Sequence, residues 1–199
     1  MNPFVWVRAE ILRAAWRRRL YLPPDRRILE HDILLPLARD PDVRRLLFVG
    51  VQWYTAHYPG FFAGKTFATI DPDPHVARWG GTPHSVGRIQ ELEEHLPRLV
   101  FDAIVITGVI GYGLNDLAAV NGALRACARA LRPGGWLVLG VDELIPTHVD
   151  PSKSEVSQQF ETMAFGGFST GRIDVALPFK ERRKTFLFWR RKGAIEDAR

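Results

Sequence analysis

Four short apolar runs, Leu46 to Val49, Thr66 to Ile70, Phe101 to Thr107 and Trp136 to Val141, are spaced along the chain with longer stretches between them. None keeps the strict polar–apolar alternation of a strand with one wet face, so each reads as a strand covered on both sides. A weaker run lies near Pro83 to Val86. Parallel neighbours need a crossover of a dozen residues or more, and such crossovers are right-handed. The pattern therefore predicts a doubly wound α/β sheet with helices on both faces.

The clearest helix is Asp116 to Leu131, where Leu117, Val120, Leu124, Cys127 and Leu131 recur at spacings of three and four. Asn115 is positioned to cap its start and Pro133-Gly134-Gly135 to stop it. Phe4 to Leu20 reads as an amphipathic helix ended by Pro23-Pro24, with Val5, Ala9, Leu12 and Trp16 on one stripe and Arg8, Arg13 and Arg17 off it. Arg26 to Ala38 reads as a second helix, bent or shortened by Pro36. Val149 to Gly171, around Ser154 to Phe160, is expected to form the helix before the hairpin. Arg172 to Leu177 and Thr185 to Trp189, joined around Pro178 to Arg183, read as an antiparallel hairpin closing the sheet edge.

A chain of 199 residues suits one such domain. The single cysteine, Cys127, excludes an internal disulfide and a cysteine zinc cage, which fits a reducing compartment and a cytoplasmic protein. Arg8, Glu10, Arg13 and Arg17 interrupt the N-terminal apolar run too often for a membrane span or signal segment, so no membrane insertion is expected. The net charge of +5 comes with arginines gathered near the two ends, a pattern that favours solvated faces over nucleic acid without closing off the latter. The histidines lack ligand spacing and no Gly-x-Ser-x-Gly is present, so neither a metal site nor a serine hydrolase is expected. Self-association is left open.

Function is signalled by Gly50, which follows the first run, and Asp71, which ends the second about 20 residues on, the layout that sets a carboxylate beside a glycine turn for a ribose diol. The bland alternative for Asp71 is a turn cap. As a pocket acid it is expected to make little core contact, so its removal should hardly alter the fold. Gly108 to Gly113 carries glycines in the order G-x-x-G-x-G, which is not the dinucleotide fingerprint.

Taken together, Gly50, Asp71, Phe101-Asp102-Ala103-Ile104-Val105-Ile106 and Leu131-Arg132-Pro133-Gly134-Gly135-Trp136 resemble the class I S-adenosylmethionine-dependent methyltransferases. The resemblance implies a seven-stranded Rossmann-like sheet ordered 3-2-1-4-5-7-6 with strand 7 antiparallel. The methyltransferase-like domain is expected over 43–192, with the two N-terminal helices forming a helical cap over residues 1–42 and a flexible tail over 193–199. The resemblance also implies S-adenosyl-L-methionine as cofactor, held by Gly50, Val51, Gln52, Trp53, Tyr54, Asp71, Pro72, Arg88, Ile89, Thr107 and Gly108. Here the first loop has one glycine where the family carries three, and Arg88 cannot accept a hydrogen bond from adenine, which leaves Gln90 or backbone for that contact. The Gly108 to Gly113 loop would border the methyl-transfer centre, its glycines making room for an acceptor. His57, Tyr112 and His148 are the candidate proton acceptors, with Asp142 and Glu143 nearby. The function so implied is methyl transfer to a small-molecule acceptor. Alternatives are a non-catalytic partner of the same fold, an RNA methyltransferase, and a non-methylating use of the same pocket.

Overall fold

The four apolar runs form adjacent strands at the middle of one sheet. The computed structural model describes residues 11–12, 14–16, 20–177 and 182–193. Its strands are β1 (Arg45–Val49), β2 (Thr66–Asp71), β3 (His84–Val86), β4 (Phe101–Thr107), β5 (Leu131–Asp142), β6 (Phe160–Thr162), β7 (Arg172–Leu177) and β8 (Arg182–Arg191). The order is β3-β2-β1-β4-β5-β8-β6, with β7 also on β8. β1 to β5 pair in parallel, and β8 runs antiparallel to β5 from Trp136↔Arg190 to Asp142↔Lys184.

Seven positions are filled as expected, but the outermost is filled by two segments. β7 pairs with the first part of β8, from Leu177↔Arg182 to Arg172↔Leu187, and β6 takes over at Thr162↔Trp189. The expected β7–β8 hairpin is present, with residues 178–181 of its turn outside the described residues.

Both faces of the central strands are buried, which is why their sequences are nearly continuous in apolar residues. One face presents Leu47, Val49, Ile104, Ile106, Leu137 and Leu139 to α3 (Leu117–Ala130) and to the segment Ile89 to Leu96, which includes α2 (Leu92–His95). The other presents Leu46, Phe48, Ala103, Val105 and Val138 to Leu29, Ile33, Leu34, Tyr58 and Phe62.

The helix of that second face, α1 (residues 24–39), is α-helical over Pro24–Arg27, π-helical over Ile28–Leu34 and α-helical again over Leu35–Arg39. Pro36 neither ends nor shortens it. A proline ring clashes with the carbonyl four residues back in an α-helix, and the wider turn, in which Leu35 N–H reaches the Glu30 carbonyl, absorbs the misfit.

Four local expectations are corrected. Asp116, not Asn115, caps α3, its Oδ1 accepting from Ala119 N–H at 2.7 Å. Leu117 at the start of the stripe is exposed. α3 stops at Ala130, before the Pro-Gly-Gly turn, because Leu131 already pairs with Phe101 in the sheet. Ser154 to Phe160 forms no α-helix: Ser154 Oγ caps a single 3₁₀ turn, Glu155–Gln159, and Phe160 enters β6. The expected Phe4 to Leu20 helix lies largely outside the described residues, although residues 11, 12 and 14–16 are helical.

The Leu-Arg-Pro-Gly-Gly turn and the Phe-Asp-Ala strand start meet at the end of the sheet opposite Asp71. Arg132 Nε donates to Asp102 Oδ1 at 2.7 Å, while Asp102 Oδ2 accepts from the N–H groups of Arg44 and Arg45 at 2.8 and 2.9 Å. Burial works against the Asp102 charge, but these donors outweigh it and hold the carboxyl below its ordinary range. The pair clamps β1, β4 and β5 together.

Candidate active site

A cleft of about 180 Å³ opens where β1, β2 and β4 end, at the carboxyl edge where doubly wound sheets bind ligands. Gly50, Asp71, Pro72, Arg88 and Ile89 line it, together with Gln90, Val109, Gly113 and Leu114. Gly50 has φ +92°, and a Cβ there would lie 2.8 Å from the Thr107 carbonyl oxygen, so glycine is required. Asp71 is 8% exposed. Its Oδ2 accepts from Val51 N–H at 2.8 Å and its Oδ1 from Asp73 N–H at 2.9 Å. A carboxylate oxygen accepts two hydrogen bonds, so each keeps a site for a ligand hydroxyl. Ile89 offers an apolar wall, and Gln90 reaches it because Gly122 of α3 leaves room: a Cβ there would press on Gln90 Cγ at 3.1 Å.

No protein-family model and no curated protein matches the sequence. Solved structures match the fold. The N-methyltransferase NodS from Bradyrhizobium japonicum, in complex with S-adenosyl-L-homocysteine, aligns with a TM-score of 0.63 at 20% identity over 88% of this chain and 91% of its own. TehB from Haemophilus influenzae gives 0.59 at 12% identity over 82% and 62%. A TehB-like SAM-dependent methyltransferase from Corynebacterium glutamicum gives 0.55 at 18% identity over 80% and 87%. The fold is that of the class I S-adenosylmethionine-dependent methyltransferases.

Within this methyltransferase fold the remaining candidates separate. Val51 contributes its N–H to Asp71, and Gln52 is exposed, its N–H donating to Thr55 Oγ1 at 3.0 Å. Thr107 is buried at the end of β4 with its hydroxyl lacking a partner among the described residues. Gly108 follows with φ +70° and open space around it. Trp53, Tyr54 and His57 do not line the cleft. They form a second cavity, of about 200 Å³, with Trp16, Tyr21, Leu22 and Glu30.

His148 lies in a third cavity, beside Arg172, Arg183 and Glu143, its Nδ1 3.2 Å from the Asp142 carbonyl oxygen. Glu143 is engaged there: Arg172 and Arg183 pair with it, and Thr185 donates at 2.6 Å. Burial opposes its charge, yet the Thr185, Arg183 and Arg172 contacts win and hold its carboxyl below the ordinary range. Asp142 pairs with Lys184, whose Nζ is 2.9 Å away and whose side chain is 2% exposed. Burial pushes the Lys184 ammonium down, opposed by Asp142. Tyr112 is 52% exposed in the loop after β4.

Two expectations need correction on steric and bonding grounds. Gly111 does not open acceptor space, because a Cβ there would sit 2.5 Å from Ile145 Cδ1 and its φ is +84°. Asp71 is not a detached pocket acid, because it satisfies the N–H groups of Val51 and Asp73. Glu30, in turn, carried no signal in the sequence: an acid in a helical stretch is ordinary there, and only tertiary packing brings it with Trp16 to the loop after β1.

Proposed function

We propose that the cleft holds S-adenosylmethionine and that the protein passes its methyl group to a small-molecule acceptor. The observation that carries this reading is the Asp71 carboxylate, oriented by two backbone N–H groups with one accepting site left on each oxygen, as a ribose diol requires. The family of the fold neighbours supports it. Gly50 and Val51 would approach the amino-acid end of the cofactor, Arg88, Ile89 and Gln90 would surround the adenine with Ile89 against its face, and Pro72 would border the ribose. Thr107 and Gly108 would lie beside the reactive sulfur.

When bound, the cofactor supplies a methyl group activated by a sulfonium. The work of this chain is then to orient the donor, exclude water and hold the acceptor in line. Proton removal falls to His57, whose Nε2 lies 3.3 Å from Glu30 Oε1. Tyr112 and His148, on other loops, would serve an acceptor that extends beyond the second cavity.

Calorimetry with S-adenosylhomocysteine tests the cofactor assignment. The wild type should bind saturably, and Asp71→Asn, which keeps one accepting oxygen for the backbone, should bind at least ~10-fold more weakly, since a hydrogen bond to a charged group is worth about 1.5–3 kcal/mol. Equal affinities remove the ribose role. No binding to the wild type moves the assignment to a fold kept for contact with a partner.

A further inference from the structure

The second cavity has a chemistry that the cofactor reading does not use. Trp16, Trp53 and Tyr54 build its wall. The Trp16 ring centroid lies 5.4 Å from that of Trp53 and 4.8 Å from that of Tyr54, and Trp53 meets Tyr54 at 82°, so the latter two form a corner. Tyr21 adds a fourth ring. Into this aromatic lining comes the Glu30 carboxylate, its side chain 10% exposed.

Charge decides what the cavity accepts. Arg26 sits 4.6 Å from the centre of the Tyr54 ring and 3.6 Å from Asp25, so its charge is matched by Asp25. Lys184 is matched by Asp142. Among the described residues Glu30 has an ion-pair partner only in His57, which is a cation only when protonated. A carboxylate withdrawn from water, with no Lys or Arg within ion-pair distance among the described residues and Arg26 acting on it only through the shared Tyr58 hydroxyl, favours a cation, and aromatic faces add to that preference. An anionic ligand is disfavoured by the same charge. The cavity shares a loop with the cofactor cleft: Gly50 lines the cleft, and Trp53, Tyr54 and His57 line the cavity a few residues later.

We propose that this cavity is the acceptor site and that it recognises an organic ammonium group, the Glu30 carboxylate pairing with the nitrogen while Trp16, Trp53 and Tyr54 enclose its carbon substituents. The acceptor role rests on the cofactor reading of the neighbouring cleft. Recognition of the cation does not.

The test is a binding titration of the full chain with benzylammonium and with its neutral counterpart benzyl alcohol, followed by tryptophan emission and repeated by calorimetry. Benzylammonium should bind at least ~10-fold more tightly than benzyl alcohol, and Glu30→Gln should erase the difference while leaving S-adenosylhomocysteine affinity unchanged. Trp53→Leu should weaken benzylammonium binding and likewise spare the cofactor product. Should Glu30→Gln fail to fold, Trp53→Leu decides. Equal affinity for the two probes, discrimination that survives Glu30→Gln, benzylammonium binding untouched by Trp53→Leu, or no saturable response to either probe overturns the proposal. Benzylammonium binding that depends on Glu30 in a protein that ignores S-adenosylhomocysteine would instead overturn the cofactor reading and keep the cation site.

Discussion

The cleft at Asp71 and the cavity at Glu30 are neighbours made by different means. In the cleft the positions that matter are strand ends and turns: a glycine that no Cβ can replace and a carboxylate fixed by two backbone N–H groups. The cavity is made of side chains from a helical cover and a loop, packed ring against ring. A site written in backbone is tied to the sheet and tolerates few substitutions. A site written in side chains can change its ligand without disturbing the sheet.

Gly50→Ala is the hardest test of the first half of that contrast. The added methyl meets the Thr107 carbonyl oxygen and Val109 Cγ2, both at 2.8 Å, in a backbone conformation unfavourable for alanine. Scanning calorimetry should show a loss of about 1–3 kcal/mol, and S-adenosylhomocysteine binding should fall below detection.

Asp71→Ala should come next. It leaves the Val51 and Asp73 N–H groups without their acceptor, at about 1–3 kcal/mol for a buried donor, so denaturant unfolding should place it below Asp71→Asn in stability. Equal stability would mean that the carboxylate is not part of the scaffold. On the other side of the contrast, Trp53→Phe should leave the unfolding midpoint close to that of the wild type and cofactor affinity unchanged. A large drop in either would show that the cavity is as structural as the cleft.

A pH-dependent effect lies far from both, at the Asp102 clamp. Its folded carboxyl titrates below the unfolded value, so its contribution is fully present above the unfolded range and is lost as pH falls through the folded value. Melting curves of wild type and Asp102→Asn should differ near neutrality and converge in acid. A constant gap would assign the difference to packing.

The same contrast explains what could be read from the sequence. Gly50 and Asp71 were legible because strand periodicity fixes where strands end, and strand ends fix what lines the cleft, while Arg88 and Ile89 followed from the resemblance. Order along the sheet followed from crossover geometry and the resemblance. The split of the outer strand into β6 and β7 had no such signal, since a three-residue strand such as Phe160–Thr162 carries no period of its own. Placing Trp53 and Tyr54 at the cofactor and His57 at the rim of the same pocket followed chain proximity, whereas packing turns their side chains toward Trp16 and Glu30. Asp116 took the cap from Asn115 by a one-residue margin that composition does not resolve.

The π-helical stretch of α1 gives the cavity an adjustable aim. Residues of an α-helix are separated by about 100° of rotation, and Glu30 lies in the widened part, its carbonyl taking the N–H of Leu35. Removing one residue from Ile28–Leu34 would tighten that stretch to an α-helix and leave both flanks of α1 nearly in phase, so only the residues inside it, Glu30 among them, would change direction. Phase along a single helix thus controls where the carboxylate points, while Asp71, pinned by its neighbours' amides, has no comparable freedom. A lineage carrying this scaffold could retarget the cavity by a codon-sized insertion or deletion and keep the Asp71 cleft intact.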